Sequence, residues 1–411
     1  MTANLTTPVT ENDRIHLLDC IRGFALLGIL LMNIEYFQKP LLSMMNGFDY
    51  SQTGADFGVA WFVFTFVQGK FYTMFSLLFG IGFIVFYDRA KQKHSHPRWL
   101  FTRRLIVLGA FGFAHLAYIW GGDILLNYAI AGLFLLFFVN KSAKTLLRWG
   151  IGIFLLPVIL FWLGALSIEA ASATPEGAAA LAQDNQAAMA EVNAIIATAA
   201  EAYKNGTYAD VLAARSQEIG YFYTTGIFFM TPTVLGIFLI GASLARSGVA
   251  TQPEQHKTTY KKLLKYGAIL GLPAALYVGF YGTQMNFLAP DFATAIAFTV
   301  TQIANFGLSF AYIAILALAI KHYKFIQQLA PAGRMALTNY LTHSIVFTSL
   351  FYGYALGMYG EIGRATATLL AILLWLAQLP LSAWWLKRFR YGPCEWLWRS
   401  LTYLQPQPFK R

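Results

Sequence analysis

The stretch DCIRGFALLGILLMNIEYF, residues 19–37, decides the fold class. Its middle is an unbroken apolar run, and about 20 such residues carry a helix across the roughly 30 Å hydrocarbon core of a bilayer. Asp19 and Arg22 nevertheless lie near its start, and Asn33 and Glu35 lie near its end. The stretch therefore predicts a membrane helix with polar groups at both ends, and it raises the question of what needs them there.

The rest of the chain has the composition of a membrane protein. Of its 411 residues, 57% are hydrophobic and 12% are charged, whereas about 25% are charged in an ordinary soluble domain. The two cysteines, Cys20 and Cys394, are predicted inside a helix and in the tail, which favours neither a disulfide nor a zinc cluster. The polar N-terminus lacks the basic region of a signal peptide, so we expect the first apolar helix to act as the insertion signal.

Lysine and arginine are distributed unevenly between the ends of the apolar segments. Ten segments are long enough to cross a bilayer, at about 15–37, 57–86, 104–120, 123–139, 148–168, 219–245, 262–284, 292–320, 335–358 and 364–386. Of the Lys and Arg residues, 24 lie at one set of ends, four at the other, and Arg22 and Lys70 lie within helices. Because cytoplasmic ends carry the excess of Lys and Arg, we predict an all-α polytopic protein with both termini cytoplasmic. Topology and anionic lipid thus account for the net charge of +11 without nucleic-acid binding.

One long segment, residues 169–218, is Ala-rich, mildly acidic and predicted to be extracytoplasmic. Its composition predicts two amphipathic helices with a break near 204–206. This loop is either a cap on the bundle or a lid over a substrate cleft. We detect no internal repeat, so we predict a single membrane domain over 1–411, with residues 387–411 as a cytoplasmic interfacial tail.

Ionisable groups inside membrane segments cost about 2.5–3.5 kcal/mol each on insertion scales, so each of them needs a reason. Asp19 and Arg22 are three residues apart and share a helix face. They form either a structural ion pair or an anion contact from Arg22 that Asp19 orients. Asn33 is expected to hydrogen-bond within the bundle, and Lys70 to pair with a carboxylate or to line an aqueous cavity.

Two further stretches place polar groups in predicted spans. In HLAYIWGGDILLNYAIAG, residues 115–132, His115 and Asp123 flank a two-glycine turn. Asp123 is either a helix N-cap beside a core histidine or the partner that orients His115 as a base. Asn339 and His343 are four residues apart on one helix face and serve either helix packing or a second polar site. We find no P-loop, no GxSxG motif and no metal-ligand cluster.

Several blocks together resemble the YeiB-type family of bacterial inner-membrane proteins, which carries a domain-of-unknown-function label. They are LLDCIRGFALLGILLMN (17–33), GKFYTMFSLLFGIGF (69–83), WGGDILLNYAIAG (120–132), and GRMALTNYLTHS through KRFRYGPCEWLWRSLTY (333–403). The family is similar to a transmembrane acyltransferase superfamily that includes the lysosomal enzyme acetylating the terminal glucosamine of heparan sulfate. The resemblance implies a bacterial inner-membrane protein that moves an acyl group from cytosolic acyl-CoA to an extracytoplasmic hydroxyl or amine, such as that of a glycan.

The resemblance also implies site residues. Asp19, Arg22 and Gly23 match the superfamily's first-helix D-x-x-R-G pattern. The lysosomal enzyme has its catalytic histidine just after its first helix, whereas residues 34–58 of this chain contain no histidine. Our hypothesis therefore assigns the role of general base to His115.

In this hypothesis Asp123 orients His115, and Asn33 or Lys70 stabilises the oxyanion. The donor site is predicted on the cytoplasmic side, among Asp19, Arg22, Arg103, Arg104, Asn339, His343, Arg388 and Arg390. The alternative function is a transporter or exporter whose polar residues line a substrate path without covalent chemistry. The sequence leaves open the acyl group, the acceptor, and whether the protein is a monomer or a homodimer.

Overall fold

The computed structural model describes residues 15–411 except 283, 284 and 286, and this part of the chain is predominantly α-helical. Its described residues form no β-strand, and their isolated β-bridge joins Phe389 to Lys410. The prediction of an all-α fold is therefore confirmed. Arg14, which belongs to the basic set in the charge count, lies outside the described residues.

The α-helices of the described part are numbered in chain order. They are α1 His16–Asn33, α2 Gly54–Phe62, α3 Lys70–Lys93, α4 Pro97–Ala114, α5 Leu125–Leu135, α6 Ala143–Ser172, α7 Pro175–Asn205, α8 Tyr208–Arg246, α9 Lys257–Tyr281, α10 Phe292–Ala319, α11 Lys324–Gln327, α12 Ala330–Arg334, α13 Ala336–Phe351, α14 Arg364–Arg388 and α15 Pro393–Tyr403. Eight helical stretches among the described residues are long and apolar enough to cross a membrane. They coincide with eight of the ten predicted segments, and the other two correspond to the shorter helices α5 and α13.

Two of the predicted spans contain π-helical turns. The segment predicted at 57–86 consists of α2, a π-helical turn at Val63–Val67, and α3. Gly69, with a φ of 80°, lets the chain change direction between the turn and α3, because glycine tolerates positive φ without strain. A second π-helical turn, His115–Ile119, ends the α4 segment. Such turns occur frequently at functional sites.

The predicted loop helices are present, and the second of them is continuous with the membrane helix that follows it. α6 extends to Ser172, and α7 ends at Asn205, inside the predicted break. Thr207 then begins α8 with a capping box, in which its side chain and that of Asp210 each bond the other's backbone amide. The second predicted loop helix is the first part of α8, which runs for 39 residues and continues through Pro232.

The bundle has two distinct ends. At one end Arg246 pairs with Asp88 at 2.9 Å, and the Trp398 indole N–H donates to the Arg104 carbonyl at 2.8 Å. We call this end, which carries residues 87–104, 246–256 and 387–411, the basic face. At the opposite end α7 contacts the segment after α13, where Gly353 N–H donates to the Tyr203 carbonyl. We call that end the loop face.

Candidate functional site

A cavity of about 570 Å³ opens on the basic face between α1, α3, α4, α13 and α15. Its mouth carries six basic and two acidic side chains: Arg22, Arg89, Lys93, Arg104, Arg334 and Arg399, with Asp19 and Glu395. His94 also lines the mouth, and burial, followed by the charges of Arg103 and Lys93, lowers the pKa of its imidazole. The excess of basic groups suits the mouth to a polyanionic ligand.

The cavity becomes apolar as it penetrates the bundle. Along α3 its lining runs from Lys93 to Phe75, a separation of 18 residues or about 27 Å of helix. The inner wall is formed by Leu26, Ile29, Phe75, Leu78, Phe79, Leu108, Ile124, Leu125, Tyr128 and Tyr340. A ligand with a charged head and a long, less polar arm matches this gradient.

Close backbone contact between α1 and α12 shapes one side of the mouth. A Cβ atom added at Gly23 would lie 2.1 Å from the Leu329 carbonyl oxygen, so only glycine allows this approach. The contact fixes the first turns of α1, where Arg22 Nη1 lies 2.8 Å from Asp19 Oδ1. Both side chains line the cavity. The D-x-x-R-G stretch therefore places a half-buried ion pair at the mouth.

The C-terminal helix α15 closes the other side of the mouth. The Arg104 guanidinium lies 3.7 Å from the Trp398 ring centroid and 5.0 Å from that of Phe86, as in cation–π contacts. The Glu395 carboxylate accepts hydrogen bonds from the Leu337 and Thr338 backbone amides at 2.7 and 3.0 Å. It thereby caps the N-terminus of α13. Burial raises the pKa of the Glu395 carboxyl.

A buried chain of three polar side chains lies near the inner end of the cavity. His115 Nδ1 is 2.8 Å from Asp123 Oδ1, and His115 Nε2 is 2.8 Å from Ser344 Oγ. His115 and Ser344 are each 1% exposed, and Asp123 is 7% exposed. His115 begins the π-helical turn after α4, Asp123 precedes α5, and Ser344 lies in the middle of α13. The three elements thus bring together a serine, a histidine and an aspartate in the order of a catalytic triad.

Hydrogen bonding fixes the roles within this triad. Asp123 Oδ2 accepts from the Leu126 backbone N–H at 2.7 Å, which holds the carboxylate against the start of α5. A carboxylate only accepts, so His115 donates from Nδ1, and in the neutral imidazole Nε2 is then the acceptor. In that tautomer the Ser344 hydroxyl donates to His115 Nε2. Asp123 both caps a helix and orients a histidine.

The triad adjoins the cavity through α13 and α5. Tyr340, one turn before Ser344 on the same face of α13, lines the cavity, and its ring centroid lies 5.1 Å from that of His115. Ile124, the residue after Asp123, also lines the cavity. Along α13, Ser344 lies eight residues from Ala336 at the mouth, or about 12 Å. Tyr340 is therefore the side chain between the open cavity and the closed triad.

The other candidates divide by location. Arg22 and Arg104 line the cavity, whereas Arg103, Arg388 and Arg390 lie outside its lining. The Arg388 guanidinium lies over the Trp384 ring at 4.5 Å, and Arg390 donates to the Lys410 carbonyl at 3.1 Å. The mouth is instead completed by basic residues outside the predicted donor-site set, namely Arg89, Lys93, Arg334 and Arg399.

The two residues considered as oxyanion donors are buried away from the cavity. Asn33 is the last residue of α1, and Lys70 is the first residue of α3. Neither lines the cavity or hydrogen-bonds to the triad among the described residues. The Lys70 backbone carbonyl accepts from the buried Ser309 hydroxyl, which ties α3 to α10.

Asn339 and His343 belong to a network between α13 and α14. His343 Nε2 is 2.7 Å from Gln378 Oε1, and the Gln378 amide donates to the Asn339 carbonyl at 3.2 Å. The Asn339 amide donates to Ser382 Oγ at 3.1 Å. Neither Asn339 nor His343 lines the cavity. The geometry of this pair is that of helix packing.

Ser344 was missed at the sequence level. It directly follows His343, but its partner His115 lies 229 residues earlier in the chain. No local spacing can connect two residues so far apart. The available signal was the position of Ser344 one turn after Tyr340, on a face of α13 distinct from that of His343.

A second cavity, of about 730 Å³, adjoins the first on the basic face and shares Ile15, Val85 and Arg89 with it. It is more open to the outside. Its lining, as far as the described residues define it, includes no residue of α4, α5 or α13. Because these elements carry the triad, the deeper cavity of about 570 Å³ is the candidate site.

Comparison with known proteins identifies similar chains but no activity. A family model described as "Protein of unknown function (DUF418)" matches residues 244–405. The chain is 34% identical over 420 residues to the uncharacterized protein YxaH of Bacillus subtilis, covering 98% of each. It is 32% identical over 401 residues to the uncharacterized protein YeiB of Escherichia coli, covering 94% of this chain and 95% of the relative. No solved structure matches the chain.

Proposed function

Since the chain belongs to the DUF418 family, whose function is unknown, we propose a function from its site: transfer of an acyl group from acyl-CoA to a hydroxyl or amine. One observation carries the proposal. A cavity with a basic mouth and an apolar interior ends beside a buried histidine that an aspartate orients. A CoA thioester has a charged nucleotide head and a long, less polar arm that ends in the reactive carbonyl, in the same order as the cavity.

The charge distribution supports the orientation of the protein in this proposal. The basic face carries most of the lysines and arginines, and such ends face the cytoplasm. We place both termini and the cavity mouth in the cytosol of a bacterial cell, where acyl-CoA is available. The acceptor, such as a sugar of an extracytoplasmic glycan, then reaches the triad from the loop face.

The proposed chemistry uses groups that the site already holds. The nucleotide phosphates meet Arg22 and Arg104, since guanidinium groups bind phosphate with two parallel hydrogen bonds. The acyl arm follows the apolar wall of α3 inward, past Tyr340. His115 takes the proton of the group that attacks the thioester and returns it to the leaving thiol, and Asp123 keeps Nε2 unprotonated for this role.

The test compares two pairs of arginines on the same face. CoA binding to the purified protein is measured by calorimetry, with acetyl-CoA and octanoyl-CoA as further probes. The double variant Arg22→Gln/Arg104→Gln loses two charge-assisted contacts of about 1.5–3 kcal/mol each, so its affinity should fall by about a hundredfold or more. The double variant Arg388→Gln/Arg390→Gln removes the same charge outside the cavity and should change the affinity by less than about threefold.

Release of free thiol from acyl-CoA is followed in the same samples, with glucosamine as a surrogate acceptor. Equal effects of the two double variants would remove the cavity as the donor site. A protein that binds no CoA and releases no thiol would overturn the proposal and favour the alternative of a transporter.

A further inference from the structure

We propose that Ser344 is a nucleophile that carries the acyl group as a covalent ester between donor and acceptor. This inference rests on the proposed function and deepens it, since it divides the transfer into two half-reactions. Ser344 Oγ lies 2.8 Å from His115 Nε2, and His115 Nδ1 lies 2.8 Å from Asp123. These are the distances at which a base activates a hydroxyl while a third group orients that base.

The occupancy of His115 Nε2 distinguishes this route from direct attack by the acceptor. A neutral imidazole has a single acceptor nitrogen, and in this structure the Ser344 hydroxyl uses it. The first proton that His115 can take is therefore that of Ser344. Direct deprotonation of an acceptor would require Ser344 to leave a buried hydrogen bond, although the residue is held in the middle of α13.

Both half-reactions balance without any further reactant. In the first, Ser344 Oγ attacks the thioester carbonyl, His115 takes the serine proton, the C–S bond breaks, and the thiol leaves with that proton. In the second, the acceptor hydroxyl or amine attacks the serine ester, and His115 takes its proton. The ester bond to Oγ then breaks, and the proton returns to Ser344.

A covalent relay also fits the position of the triad between the two faces. The cavity opens on the basic face, whereas the turn that carries His115 is held from the loop face. There the Arg215 guanidinium donates to the Ala117 carbonyl at 3.1 Å, and the Tyr208 hydroxyl donates to the Tyr118 carbonyl at 2.7 Å. With an acyl-enzyme, the donor can depart before the acceptor arrives. The two substrates then never have to occupy the buried site together.

The test traps the ester. The purified protein is incubated with octanoyl-CoA without an acceptor, and separately with a fluorophosphonate, which reacts with activated serines. Intact-mass and peptide analysis should then find one octanoyl group, or one phosphonate, on Ser344. Ser344→Ala should lose both adducts and release thiol at least about 10³-fold more slowly. Ser382→Ala, the matched control at another buried serine, should keep both adducts.

Ser344→Cys tests the proposal even if the alanine variant does not fold. It should carry the octanoyl group as a thioester, which neutral hydroxylamine cleaves whereas the serine ester survives. The relay is overturned if Ser344→Ala transfers acyl groups as fast as the unsubstituted protein and the unsubstituted protein carries no adduct. That result leaves the proposed function intact. Phosphonate on Ser344 in a protein that binds no CoA supports the activated serine and overturns only the assignment of the donor.

Discussion

Replacing Asp123 with asparagine tests the triad with almost no change in shape. The aspartate accepts from His115 through Oδ1 and from the Leu126 amide through Oδ2. Asparagine offers one acceptor oxygen and one amide group. If the oxygen keeps the Leu126 contact and the start of α5, the amide group must donate to His115 Nδ1. The imidazole then carries its proton on Nε2, which can no longer accept from Ser344.

The expected magnitudes separate function from stability. A wrong histidine tautomer costs about 10⁴-fold in serine-triad enzymes, so acyl transfer and phosphonate labelling should both fall by about that factor. Every buried group still has a partner in the Asp123→Asn protein. A hydrogen bond to a charged group is worth only about 1 kcal/mol more than a neutral one. The thermal midpoint should therefore shift by no more than a few degrees.

The assay follows thiol release from octanoyl-CoA and the rate of phosphonate labelling, beside thermal unfolding of the same preparations. Asp88→Asn is the matched control, because it makes the same substitution in the ion pair with Arg246 on the basic face. It should leave both rates unchanged. An Asp123→Asn protein that unfolds normally and retains its rates within tenfold would refute the tautomer argument. One that unfolds far earlier would show that the contact serves stability.

Further outcomes are expected for the cap of α13, the α4–α5 hairpin and the orientation of the chain. Glu395→Ala should cost about 1–2 kcal/mol in unfolding experiments because α13 loses its cap. Since burial raises the pKa of the Glu395 carboxyl, the unsubstituted protein should lose stability as the pH rises from about 4.5 through that raised pKa, and Glu395→Gln should lack this slope. Gly112→Ala should disrupt the α4–α5 hairpin, because its Cβ would lie 2.3 Å from the Leu126 nitrogen. The Cβ of Gly152→Ala would meet nothing within 4 Å, so this control variant should be tolerated. Circular dichroism and thermal unfolding check this pair. Single cysteines at 95 and 185 should be labelled in intact cells by an impermeant reagent only at 185, and the reverse pattern would contradict the proposed orientation.

Long apolar helices could be predicted from the sequence because each depends on a local property, a run of apolar residues of sufficient length. The break at 204–206 was equally local, since it depends on turn and capping residues at adjacent positions. The kink at Gly69 was not predicted, because a glycine in an apolar run is compatible with a straight helix as well as with a bend.

The candidate site was only partly predictable for the same physical reason. His115 and Asp123 meet across one tight turn, so eight residues of sequence contain the contact. Ser344 reaches them only because α13 packs beside that turn, and helix packing over 229 residues leaves no local pattern. The arginines were predicted to lie at one end of the bundle, but which of them line the cavity depends on how α15 folds back over α4.

The polar groups at the two ends of α1 have different partners, and this difference answers the question that the first helix raises. At the basic face Asp19 and Arg22 pair with each other and line the cavity, so their charges remain available to a ligand. At the other end Glu35 forms a salt bridge with Arg364 at 2.6 Å, and Arg364 is the first residue of α14 and is 7% exposed. That contact joins two helices and faces no cavity of the site. One end of the helix therefore presents charges to the cavity, and the other anchors the helix to α14.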